Sequence, residues 1–157
     1  MSKSAETPAP SFDFIVIGAG TAGCVLAARL SENPAHSVCL IEAGGSEQHP
    51  YICIPAAVGA AIMSERFGWG LATMPQGALN DRVIPLPRGK VIGGSGSING
   101  MAYYRGTRRD FDDWAARGNS GWSYDELLPY FKRSERNEHY RDSPYHGNEG
   151  PMAVNFI

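Results

Sequence analysis

Three glycines, Gly18, Gly20 and Gly23, and a carboxylate at Glu42, nineteen positions after the last of them, are the residues best spaced to do chemistry. In Gly18-Ala19-Gly20-Thr21-Ala22-Gly23 the first glycine permits a tight turn, the second lets a pyrophosphate approach the backbone, and the third lets a helix lie close to a sheet. The N-terminus of that helix then offers the phosphates its unpaired N–H groups and positive dipole end. Glu42 stands where a carboxylate can accept both hydroxyls of an adenosine ribose. Ala43-Gly44-Gly45 follows with no Arg or Lys to meet a 2′-phosphate, so FAD or NAD fits better than NADP.

These residues need a particular frame. Phe12-Asp13-Phe14-Ile15-Val16-Ile17 reads as a buried parallel strand that stops at glycine. Cys24 to Leu30 reads as a helix ending before Asn33-Pro34, and Ser37 to Ile41 as a second strand closing on Glu42. The expectation is an α/β unit in which the two strands are parallel neighbours joined by the helix. A second glycine stretch, Arg88-Gly89-Lys90-Val91-Ile92-Gly93-Gly94-Ser95-Gly96-Ser97-Ile98-Asn99-Gly100, has a linker's composition but apolar neighbours on both sides. Small residues in that setting suggest backbone packed against a flat ligand or against another backbone. Further on, Thr107 with Asp110 and Ser123 with Glu126 form capping boxes, and Pro129 predicts a helix break. Residues 1–11 read as a disordered tail, and the polar stretch after Glu135 as mobile.

At this point the chain resembles the glucose-methanol-choline (GMC) flavoprotein oxidoreductases. The match to that family's first signature runs from Gly89 through Gly93-Gly94-Ser95 and Asn99 to Tyr103, Gly106 and Asp112. Typical too are Glu42-Ala43-Gly44, Asp110-Phe111-Asp112-Asp113-Trp114, Leu128-Pro129-Tyr130-Phe131-Lys132 and His146-Gly147-x-x-Gly150-Pro151. The resemblance implies a Rossmann-like, FAD-binding parallel sheet with a crossover helix, incomplete here, plus a loop-rich and helical extension. It implies an FAD-binding portion over residues 12–145 and the start of a truncated substrate-binding domain over 146–157.

By position, Gly18, Gly20, Thr21, Ala22 and Gly23 would hold the pyrophosphate, and Glu42 with Ala43 the adenosine ribose. Arg88, Gly89, Val91, Gly93, Gly94 and Ser97 would line the pyrophosphate and ribityl path. Asn99, Gly100, Met101 and Ala102 would lie beside the isoalloxazine. Some members tether FAD through a histidine just before that asparagine. Ile98 stands there in this chain, so the resemblance implies non-covalent FAD. The implied activity is oxidation of a small-molecule alcohol by hydride transfer to flavin. The catalytic histidine belongs near the far C-terminus of a chain several times longer, so no catalytic residue is expected here. The missing C-terminal portion is then an expected partner, and the chain alone is expected to be inactive. A stand-alone FAD- or NAD-binding module and an inactive truncated product are the alternatives.

Composition narrows the rest. With 14 Lys+Arg against 16 Asp+Glu there is no basic excess for nucleic acid. Cys24, Cys39 and Cys53 form no CxxC pair, which argues against a disulfide scaffold or zinc knuckle and for a reducing, cytoplasmic setting. The apolar stretch 14–28, preceded by Glu6 and Asp13 and interrupted by Gly and Thr, does not read as a targeting signal, and 48–64 is too short and too broken by Gly and Pro to cross a bilayer. The four histidines, His36, His49, His139 and His146, read as surface or core residues.

Overall fold

The computed structural model describes residues 10–156, so most of the tail expected over 1–11 lies outside the described residues. The chain divides into two compact units, one ending at Met101 and the other beginning at Ala102.

The first unit is built on β1 (Phe14–Ile17), α1 (Thr21–Leu30) and β2 (Val38–Ile41). The strands are parallel as expected, with Phe14 opposite Val38 and Ile17 opposite Ile41. Asp13 and Ser37 fix that register from one end. The Asp13 carboxylate accepts the Ser37 N–H at 2.8 Å and its hydroxyl at 2.6 Å, while the Asp13 N–H donates to the Ser37 carbonyl at 3.1 Å. The Ser37 hydroxyl, helped by its N–H, holds the Asp13 carboxyl below the ordinary aspartate range. The helix starts at Thr21 rather than Cys24, because extended Gly20 serves as the N-cap and its carbonyl takes the Cys24 N–H at 2.9 Å.

Gly23 sets how closely α1 approaches the strand. A Cβ at this position would fall onto the Gly18 carbonyl, and Gly23 is buried. The expectation that β1 is buried does not hold, since Ile15 is 60% and Ile17 85% exposed. Among the described residues α1 is the helix packed on this strand pair, and one helix cannot cover both faces of a sheet. The apolar cluster of the unit lies elsewhere. It consists of Ala61, Phe67, Val91 and Ile98, with Ile52 against it. Short helices α2 (Pro50–Cys53) and α3 (Val58–Met63) contribute to it. A small hairpin, β3 (Leu71–Ala72) with β4 (Pro85–Leu86), leads into the second glycine stretch.

The second unit holds α4 (Arg108–Ala116) and α5 (Tyr124–Ser134). Both expected capping boxes are present. Asp110 accepts the Thr107 N–H at 2.6 Å, and Glu126 accepts the Ser123 N–H at 3.1 Å. Phe111 of α4 meets Phe131 of α5 with ring centroids 5.4 Å apart. The break expected at Pro129 does not occur. Nor is the stretch after Glu135 loose throughout. It opens as β5 (Glu135–Asn137), which pairs in parallel with β6 (Met152–Val154).

Cys24, Cys39 and Cys53 are free thiols, and no helix among the described residues is long and apolar enough to cross a membrane.

Two glycine substitutions separate close packing from mere helix entropy. Gly23→Ala should destabilise the chain by about 2–4 kcal/mol, because the new methyl displaces backbone. Gly59→Ala, inside α3 with open space around its Cβ position, should stabilise by about 0.5–1 kcal/mol. Urea denaturation midpoints of the two variants, compared with wild type, test the pair.

Candidate functional site

The β1–α1 turn, the end of β2 and the second glycine stretch come together, and the backbone of Ala19 joins them. Its N–H donates to Glu42 Oε2 at 2.7 Å, and its carbonyl accepts the Gly93 N–H at 2.7 Å and the Cys24 thiol at 3.1 Å. Glu42 Oε1 accepts the Gly44 N–H at 2.8 Å. One carboxylate therefore ties the turn to the end of its own strand. These two N–H groups, that of Gly44 foremost and then that of Ala19, hold the Glu42 carboxyl below the ordinary glutamate range despite partial burial. The remaining lone pairs of the two oxygens stay available to hydroxyl donors.

The second glycine stretch continues the seam by laying backbone on backbone. Gly45 and Val91 form a parallel bridge, with the Ile92 N–H donating to the Gly45 carbonyl at 3.0 Å. The chain then turns through Gly93 into a 3₁₀ turn, Gly94–Ile98. Gly94 is buried with a φ of +58°, and a Cβ there would stand 2.9 Å from the Gly20 Cα. That excludes any side chain on two counts, conformation and space. The seam thus explains the small residues as packing of one backbone against another.

The outer side of the turn is open. A Cβ at Gly20 would meet no atom within 4 Å. No side chain caps the start of α1, whereas Thr107 and Asp110 close the start of α4. Exposed Thr21 and Ala22 flank this uncapped terminus. The arrangement suits an anion held by backbone N–H groups.

The other expected residues fall as follows. Ala43 is exposed between Glu42 and Gly44. The Gly89 N–H donates to Ser95 Oγ at 3.0 Å, Val91 sits in the apolar cluster, and Ser97 Oγ donates to the Ile92 carbonyl at 2.7 Å. Arg88 is not drawn into the seam, since its guanidinium bonds the Pro87 carbonyl at 2.7 Å. Asn99 Oδ1 accepts the Met101 N–H at 2.7 Å, and Met101 adopts a left-handed φ of +57°. Ala102 is the first residue of the other unit. Ile98, at the position of the tethering histidine, is 3% exposed among Ala61, Phe67 and Val91.

The sequence reading missed Ala19, Gly44 and Gly45 as members of the seam. The Gly44-Gly45 pair two residues after Glu42 was the available signal. Nothing in the type of Ala19 marks it, because it acts through its backbone N–H and carbonyl.

The seam yields a pH-dependent expectation. Because the Glu42 carboxyl is held low in the folded chain, its contribution is present above the ordinary glutamate range and is lost as pH falls through the lowered folded value. Protection of the Ala19 and Gly44 amides from hydrogen exchange, corrected for intrinsic rates, should fall in that acidic window. Glu42→Gln should abolish the protection of one of the two amides at neutral pH, since its NH₂ would face an N–H donor. NMR-detected exchange reads both effects.

A family model described as GMC oxidoreductase matches residues 12–156. The chain is 47% identical over 144 residues to the oxygen-dependent choline dehydrogenase of Photobacterium profundum, covering 92% of this chain and 25% of that protein. To the oxygen-dependent choline dehydrogenase of Rhizobium johnstonii it is 50% identical over 142 residues, covering 90% and 26%. Among solved structures, pyridoxine 4-oxidase from Mesorbium loti matches with a TM-score of 0.83 and 39% identity, over 91% of this chain and 28% of that one. The R554A form of formate oxidase from Aspergillus oryzae RIB40 matches with a TM-score of 0.80 and 34% identity, over 94% and 27%. The chain thus spans about a quarter of the length of the curated relatives it matches.

Proposed function

The chain belongs to the GMC oxidoreductase family, and from that premise we propose that it is the N-terminal, FAD-binding portion of an enzyme that oxidises a small-molecule alcohol. The observation that carries the reading is the turn at Gly18–Gly23, open and uncapped on one side and locked to Glu42 and Gly93 on the other.

The residues present fit the cofactor. Gly18, Gly20, Thr21, Ala22 and Gly23 present backbone to a pyrophosphate, and a side chain at Gly20 would fill the space the phosphates need. Glu42, with lone pairs to spare beside its two backbone donors, accepts ribose hydroxyls, next to Ala43. In this reading Gly89, Gly93, Gly94 and Ser97 would line the way towards the flavin, with Arg88 and Val91 in the same run. Asn99, Gly100, Met101 and Ala102 would lie beside the isoalloxazine. Bound FAD supplies the hydride acceptor for the alcohol carbon. The protein's part is to hold that acceptor and exclude alternatives to it.

No histidine of this chain is assigned the alcohol proton. His36 contacts the Leu30 carbonyl, His49 takes the Tyr51 N–H, His139 meets Asn155, and His146 meets Glu135. The same proposal divides the chain into an FAD-binding portion over 12–145 and the opening of a substrate-binding domain over 146–157. It also places the protein in the cytoplasm, in keeping with three free thiols. Ile98, apolar and buried, has no nucleophilic atom for a covalent flavin link, so FAD is held non-covalently.

Titration of FAD with the purified chain, read by flavin fluorescence, tests the proposal, with NAD as the competing ligand. FAD should bind and NAD should not displace it. Gly20→Val should abolish binding. Glu42→Ala should weaken it by about 1.5–3 kcal/mol, roughly ten- to hundredfold, the usual cost of losing hydrogen bonds to a charged group. Acid precipitation should leave the yellow colour in the supernatant. Equal FAD affinity for wild type and Gly20→Val would overturn the assignment of the turn, and colour retained in the pellet would overturn the non-covalent assignment.

A further inference from the structure

Glu135 is the one fully buried charged side chain among the described residues, at 0% exposure, and the alcohol chemistry proposed above makes no use of it. It lies in the second unit at the start of β5, and four polar groups converge on its two oxygens. Oε1 accepts Asn137 Nδ2 at 2.9 Å and faces His146 Nδ1 at 2.7 Å. Oε2 accepts the Gly147 N–H at 3.3 Å and pairs with the Arg105 guanidinium. Burial alone would push its carboxyl up. Asn137, His146, the Gly147 N–H and Arg105 together outweigh that and hold it below the ordinary glutamate range.

The donors leave no freedom in the acceptor. Asn137 cannot turn its amide round, because its Oδ1 accepts the N–H groups of His139 at 3.0 Å and Tyr140 at 2.9 Å. Arg105 is fixed as well. Its second terminal nitrogen donates to the Tyr145 carbonyl at 2.5 Å, and its guanidinium lies 5.1 Å over the Phe131 ring. Three donors, Asn137 Nδ2, the Gly147 N–H and Arg105, therefore meet the Glu135 oxygens from fixed directions, with His146 Nδ1 beside Oε1.

What this cluster holds follows from the backbone around Arg105. Residues 100–106 adopt no regular structure, and no backbone-to-backbone hydrogen bond engages them among the described residues. Within the second unit, the side chain of Arg105 is what fastens this run to α5, β5 and the 145–147 turn. Ala102, three positions earlier in the same unit, is one of the residues proposed to lie along the flavin edge.

We propose that Glu135 is a positioning residue, clamping Arg105 so that the irregular segment from Ala102 to Gly106 is held in one conformation for the cofactor. The cofactor half of this inference rests on the proposed function, and the clamp half does not.

Two readouts on the full chain keep the halves apart. Limited chymotrypsin digestion, without added flavin, follows cleavage after Tyr103 and Tyr104, with cleavage after Phe111 and Trp114 in α4 as internal reference. In Glu135→Gln, cleavage within 102–106 should speed up about tenfold while α4 stays resistant. With FAD added, the visible flavin band of the variant should differ in shape from that of wild type. Unchanged cleavage would overturn the clamp. Faster cleavage with an unaltered flavin band would overturn its role towards the cofactor. A wild-type chain that takes up no flavin would instead sink the proposed function and leave the cleavage rate to decide the clamp. Should Glu135→Gln lose its helical circular dichroism, Arg105→Lys decides by the same readouts, since an ammonium cannot serve Glu135 and the Tyr145 carbonyl as a fork does. Loss of helix in both variants would make the cluster a general support of the fold and overturn the positioning role.

Discussion

The first unit depends on the backbone of one residue. Ala19 gives its N–H to Glu42 and its carbonyl to Gly93, so three segments distant in sequence meet at one residue that is 1% exposed. If the two peptide planes on either side of its Cα were turned, the turn would lose its carboxylate anchor and the second glycine stretch its bond to the turn. The glycines around it are a consequence of this geometry. Backbones that approach closely enough to exchange such bonds leave no room for a Cβ at Gly23 or Gly94.

That dependence explains which parts of the structure could be read from the sequence. The strand–turn–helix–strand order was legible because Ile15-Val16-Ile17, the glycine spacing and Glu42 are side-chain signals with fixed periods. The capping boxes at Thr107 and Ser123 were legible for the same reason. Ala19 was not, since its role lies in its backbone groups, which every residue type shares. Exposure of β1 could not be read from its own residues, because an apolar run states what a strand prefers to bury and not whether a layer is there to bury it; the expectation of an incomplete sheet was the available signal. Pro129 misled in the opposite direction. A local rule predicted a break, yet the helix runs on through Pro129 at an exposed position.

The second unit uses charge where the first uses backbone. Its helices are joined by aromatic contacts around Phe111 and Phe131, while the stretch beyond α5 is organised around buried Glu135. A polar composition there suggested looseness, yet polar residues with every hydrogen bond satisfied make a rigid cluster. The informative signal would have been the pairing of Glu135 with Arg105 across thirty positions. That is a tertiary fact, with no local periodicity to announce it.

The equal register of β1 and β2 has an evolutionary corollary. Because Ile17 and Ile41 are direct partners, Gly18 and Glu42 leave the strands at the same level and on a fixed side. Deletion of one residue between Val38 and Glu42 would reverse the alternation of side chains and send the carboxylate to the opposite face. The link between α1 and Ser37, residues 31–36, carries no such phase and can absorb a change of length. Among descendants of this sequence, gaps should therefore collect in that link and be purged from the strand that follows it.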